Sequence, residues 1–142
     1  MLTQERMDQF EYLLYKIFQF TKFGISVRDA GILSFFSTAE YYNKKEPTIR
    51  DMVTRCCKSN IDYFYNSIYD LFSGNSAKFK SKYYTYIPTN LHKKIDSIYN
   101  KFIASGINPP NEFPEEYIQF LKKFMKSSPD EKHVMLNMLS EN

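Results

Sequence analysis

Two short apolar runs at helical spacing, with only Cys57-Lys58-Ser59-Asn60 between them, constrain this chain more than any other feature. In the first, Ile49, Met52, Val53 and Cys56 recur at i, i+3, i+4 and i+7; in the second, Ile61, Phe64, Ile68 and Leu71 line one stripe. Thr48 is placed to cap the first helix and Ser59 the second. Two short helices joined by a tight turn are therefore expected over Thr48–Phe72.

A turn signal, Ser73-Gly74-Asn75-Ser76, follows directly, and then Lys78-Phe79-Lys80-Ser81-Lys82-Tyr83-Tyr84-Thr85-Tyr86-Ile87. That segment is long enough for a small β-ribbon with a basic tip. Helix, turn, helix and basic hairpin is the order of a winged helix-turn-helix, whose second helix enters the DNA major groove.

The flanking sequence is helical in pattern. Thr3 caps a first helix whose stripe is Phe10, Leu13, Leu14, Ile17 and Phe18, with Gly24 as terminator. Tyr12, Tyr15 and Phe20 widen that stripe, so the helix has apolar surface for its own core and for a partner subunit. Ser26-Val27-Arg28-Asp29 resembles a capping box and opens a helix through Ala30, Leu33, Phe36 and Tyr41. Pro88-Thr89 starts a helix carrying Leu91, Ile95, Ile98 and Phe102, which ends near Gly106. Asn108-Pro109-Pro110-Asn111 is an extended break. Pro114 suits the first position of a helix with Tyr117, Phe120, Leu121 and Phe124, and Ser128-Pro129-Asp130-Glu131 opens a last one. The expected fold is one domain, residues 1–142, mainly α with a small β-hairpin: a winged helix-turn-helix with N- and C-terminal dimerisation helices. Residues 1–24 form the N-terminal dimerisation helix, 26–88 the winged core, and 89–142 the C-terminal dimerisation helices of a symmetric homodimer.

Charge is informative in its distribution. The formal net charge is +3, yet residues 1–43 sum to −1, residues 44–104 to +6 and residues 105–142 to −2. The excess sits on the helix pair and ribbon, where a phosphate-binding surface needs it. No apolar run approaches a bilayer span; Ala30–Tyr42 is broken by Ser34, Ser37, Thr38 and Glu40. Glu5, Asp8 and Glu11 near the start are unlike a signal peptide. The only cysteines, Cys56 and Cys57, are adjacent and make no disulfide framework. A soluble cytoplasmic protein is expected.

The order of elements resembles the MarR family of bacterial winged-helix regulators, and within it the staphylococcal accessory-regulator (SarA-like) branch. Thr48-Ile49-Arg50-Asp51-Met52-Val53 is similar to the family's capped helix leading into the turn. Phe64, Ile68 and Leu71 fall where its recognition helix keeps core residues, and Tyr84-Thr85-Tyr86-Ile87-Pro88-Thr89 resembles its second wing strand. The family's acidic-x-Arg wing signature is absent, with Lys80 and Lys82 in its neighbourhood. Cys57-Lys58 stands where glycine and an apolar residue are typical. The resemblance implies a dimeric DNA-binding regulator.

With its stripe turned inward, the second helix presents Ser59, Asp62, Tyr63, Asn66 and Asp70 on the opposite side. Asn66 is suited to adenine and Ser59 to a base or phosphate, while Tyr63 fits a phosphate or a thymine methyl. Asn60 belongs to the same N-terminal end, and Asp62 is better used in capping. Lys44, Lys45, Arg50, Arg55 and Lys58 flank the turn. Lys78, Lys80 and Lys82 tip the ribbon, where the narrow minor groove of AT-rich DNA favours them. Cys57 is a candidate redox site, with Arg55 and Lys58 as its only thiolate-favouring neighbours, and Cys56 belongs to the core stripe.

His92 and His133 stand far apart without metal-ligand spacing, and no nucleophile-base-acid arrangement or phosphate-binding glycine loop is present. The expectation is thus a non-enzymatic protein without cofactor or metal that binds double-stranded DNA, a dimeric transcriptional regulator acting by operator occupancy. Two alternatives stand beside it: a plasmid or phage protein of partition or replication, and a winged-helix protein-interaction module that no longer binds DNA. Neither the operator nor any small-molecule effector is legible.

Overall fold

Local start and stop signals set the architecture. The computed structural model describes residues 3–57, 60–72, 77, 80–81, 89–104 and 115–140. In them the elements are α1 (Gln4–Phe23), α2 (Val27–Tyr41), α3 (Glu46–Cys57), α4 (Ile61–Phe72), α5 (Thr89–Ala104), α6 (Glu115–Lys126) and α7 (Pro129–Ser140). Thr3 caps α1 by accepting from the Arg6 N–H at 3.2 Å, and Ser26 caps α2 by accepting from Asp29 N–H at 3.3 Å. Gly24 ends α1 at φ 109°, and the Ile25 N–H reaches back to the Phe20 carbonyl at 3.2 Å. That backbone bond, with the Ile25 side chain buried behind it, is a Schellman stop. At α7 the capping box is reciprocal: Glu131 N–H donates to Ser128 Oγ and Ser128 N–H to Glu131 Oε1, both at 3.2 Å.

Two starts differ from expectation. The third helix begins at Glu46, two residues before Thr48. Its opening turn is held by Lys45, whose carbonyl accepts from Thr48 N–H at 3.0 Å, and Pro47 sits in that turn, where no partner for its missing N–H is needed. The fourth helix is capped by Asn60, whose Oδ1 accepts from Tyr63 N–H at 2.8 Å. An amide oxygen one position later does the work expected of Ser59.

The larger correction concerns the ribbon. Among the described residues there is no strand, and Ala77, Lys80 and Ser81 are helical where a β-hairpin was expected. The winged helix-turn-helix assignment is overturned with it; the described structure is all-α. Residues 77–87 contain no Gly, Asn, Asp or Pro to turn a hairpin, while Ala and Lys are strong helix formers. Lys80 is further tied to α5 by a 3.0 Å ion pair with Asp96. Lys78 and Lys82 lie outside the described residues, as do Lys58 and Ser59.

The core gathers all seven helices around α2. Helix α1 packs on α2 and α5, while α3, α4 and α7 lie against other sides of α2. Ala30, Leu33, Phe35 and Ala39 of α2 are buried together with Ser34 and Thr38. The two hydroxyls donate to their own helix, Ser34 to the Ala30 carbonyl at 2.6 Å and Thr38 to the Ser34 carbonyl at 2.7 Å, so neither is stranded. Phe36 of the expected stripe is half-buried and Tyr41 is exposed. The surplus apolar surface of α1 is covered within the chain: Phe10, Leu13, Leu14, Ile17 and Phe20 all join the common core. Helices α6 and α7 close one end. Tyr117 sets its ring edge-on to Phe20 at 5.9 Å, its hydroxyl lies 3.3 Å from Ser37 Oγ, and Lys132 bonds Asp29 at 3.0 Å.

Candidate nucleic-acid interface

The helix pair α3–α4 is set by burial of one side each. Ile49, Met52 and Val53 anchor α3; Phe64, Ile68 and Leu71 anchor α4, with Ile61 half-buried. Three residues, 58–60, join the two helices. The outward side of α4 carries Asp62, Tyr63, Asn66 and Tyr69, and Tyr69 is 60 % exposed. Tyr63 and Asn66 therefore face solvent one turn apart, near the end that Asn60 fixes. Asn60 itself is exposed, its side-chain oxygen occupied by the cap.

The cations of this face are not isolated. Arg50 reaches Glu46 at 2.9 Å and Arg55 reaches Asp51 at 3.0 Å, each one helical turn back, and Arg28 of α2 lies 3.6 Å from Asp62. Pairs this exposed contribute about 0–1 kcal/mol, so a phosphate exchanges readily for either carboxylate. Arg50 and Arg55 thus share one helix with their counter-ions, and Lys45 adds an exposed charge beside them. Lys80 is half-buried and turned to Asp96, away from the role of a ribbon tip.

Beneath the exposed face lies a feature that the stripe analysis passed over. Tyr65 of α4 is 9 % exposed, and its ring meets Phe35 edge-on at 6.2 Å. Gly31 of α2 leaves it room, because a Cβ there would stand 2.7 Å from Tyr65 Cε1. The guanidinium of Arg28 rests 5.3 Å from the ring centroid. Burial pushes the Tyr65 phenol up to about 12; Glu46 and Asp62 add to that, while Arg28 and Arg50 oppose it. Burial likewise raises the Glu46 carboxyl against the pull of Arg50. A glycine inside the α2 pattern was the available signal, since such a position often marks a close approach of a neighbour.

Of the other candidates, Cys57 is the last residue of α3, and the side chains of Cys56 and Cys57 lie outside the described part. His92 and His133 belong to α5 and α7, and among the described residues no group of three or more His, Cys, Asp or Glu could hold a metal ion. No helix of the described structure is long and apolar enough to cross a membrane.

No family model, curated protein or solved structure matches this chain.

Proposed function

We propose that the chain binds double-stranded DNA through the exposed side of α3–α4, as a cytoplasmic, homodimeric transcriptional regulator that works by occupying an operator. The observation that carries this reading is the two-sidedness of α4. Phe64, Ile68 and Leu71 anchor it to the core, while Tyr63 and Asn66 project outward from the N-terminal half. A short helix pair with that division is the minimum unit for major-groove docking and needs no ribbon beside it. Asn66 offers a two-pronged amide to adenine, and Tyr63 a ring and hydroxyl to the backbone or a thymine methyl. Arg50 and Arg55 supply phosphate contacts from α3. The likeness of residues 48–53 to the capped helix of MarR-type regulators adds to the case.

Selection of bound fragments from a genomic library, followed by fluorescence anisotropy on the enriched duplex, tests it. An enriched sequence is expected, and Asn66→Ala should lower its affinity about 5- to 100-fold, the range for one lost bidentate base contact. Absence of binding to any fragment at 50 mM salt rejects the proposal.

One observation favours a second reading, a protein-binding surface. Arg28, Arg50 and Arg55 each carry an acidic neighbour, and exposed Tyr63 and Tyr69 are the residue type that anchors protein interfaces. Under it, Tyr69→Ala disrupts capture of a protein partner and DNA leaves the chain unshifted.

A further inference from the structure

The Tyr65 hydroxyl is the exception to the satisfied interior of α2–α4. Its side chain is more than nine-tenths buried, yet among the described residues the hydroxyl has no hydrogen-bond partner. A buried phenol normally finds one. Its ring is fixed by Gly31, Phe35 and Phe64, so the oxygen is held in place at the seam where α2, α3 and α4 meet. The charges acting on that oxygen come from three helices: Arg28 from α2, Glu46 and Arg50 from α3, and Asp62 from α4.

We propose that this seam is a binding site for a phosphoryl oxyanion, with Arg28 and Arg50 supplying charge and the Tyr65 hydroxyl the directing donor. Two guanidinium forks and a phenol on three separate helices offer donors from three directions. A tetrahedral oxyanion has oxygens to meet all three, whereas a carboxylate has two. Arg28 is already stacked on the Tyr65 ring, which orients its fork before any ligand arrives. Its present partner, Asp62, is 3.6 Å away with a side chain 74 % exposed, and swings into water at little cost. Glu46 stays, because its carboxylate is largely covered and occupies only one edge of the Arg50 fork at 2.9 Å. With Asp62 displaced, the site holds two cations and one anion. The phenol, held above its ordinary pKa, remains a donor at physiological pH.

The oxyanion is either a DNA backbone phosphate, in which case the site rests on the DNA reading and extends it to α2, or free phosphate. Inorganic phosphate is the probe, followed by thermal shift and by the arginine side-chain N–H resonances, with chloride at matched ionic strength as control. Phosphate should stabilise the chain beyond chloride and shift two arginine signals. Tyr65→Phe, which keeps the ring, should weaken binding about tenfold, as expected for one lost bond to a charged group. If Tyr65→Phe does not fold, Arg28→Gln on the exposed rim carries the same test. Equal effects of phosphate and chloride, or full affinity in Tyr65→Phe or Arg28→Gln, overturn the proposal. A duplex that displaces phosphate, and binds more weakly to Tyr65→Phe, identifies the source as DNA backbone. Tyr65-dependent phosphate binding with no duplex binding keeps the site and rejects the DNA reading. Duplex binding with no phosphate effect and no effect of Tyr65→Phe rejects the site alone.

Discussion

Gly31 and Tyr65 are matched: a β-carbon on Gly31 would stand 2.7 Å from Cε1 of the Tyr65 ring, closer than carbon atoms pack. Alanine at position 31 therefore gains helix propensity of about 1 kcal/mol and loses more to overpacking, which costs about 1–3 kcal/mol. Gly31→Ala should lower stability by about 1 kcal/mol in urea unfolding. The same change in a Tyr65→Leu background should be neutral or stabilising, and a cycle without that coupling contradicts the packing account.

Asn60 separates a capping role from a ligand-contacting one. Its Oδ1 holds the Tyr63 N–H, so Asn60→Ala should destabilise by about 1 kcal/mol. Asn60→Asp and Asn60→Ser should keep the cap and the stability. Chemical denaturation of the three variants ranks them directly.

Acid should loosen the last helix. Hydrogen bonds from the Ser128 side chain and backbone hold the Glu131 carboxyl below its ordinary 4.5. The folded value lies under the unfolded one, so the stabilisation is complete above pH 4.5 and disappears as pH falls through the folded value. Comparison of Glu131→Gln with the parent chain should show a Tm gap at pH 7 that closes below pH 4.5.

Salt dependence reports the α3 cations. If Arg50 and Arg55 each contact a phosphate, replacing both with Gln should reduce the slope of log K against log [salt] by about 1.8. Their i,i+4 partners Glu46 and Asp51 are on the same helix, so the loss in fold stability should stay small, about 0.3–0.5 kcal/mol for each pair. Anisotropy titrations from 50 to 200 mM salt measure the slope.

What the sequence revealed, and what it hid, follows from how local each signal is. Thr3, Ser26, Gly24 and the Ser128–Glu131 box act within a few residues of themselves, and each is found where its pattern places it. The stripes of α1, α3 and α4 were equally readable, because each helix buries one dominant side. Helix α2 was not, since Ser34 and Thr38 lie inside the core although their side chains are polar. The ribbon failed because alternation of Lys and aromatic residues over five positions was weighed above the missing turn residues. The Tyr65 seam depends on three helices meeting, and its only sequence trace was Gly31.

The inward hydroxyls of α2 have a mechanical consequence. Ser34 and Thr38 close on their own helix, and the hydrogen bonds and ion pairs leaving α2 start from Arg28, Asp29 and Ser37 at its rim. Behind that rim the neighbouring helices touch the central post through hydrocarbon and rings alone. They can slide or rotate slightly against it without rupturing a single polar bond, as greased shafts turn about an axle.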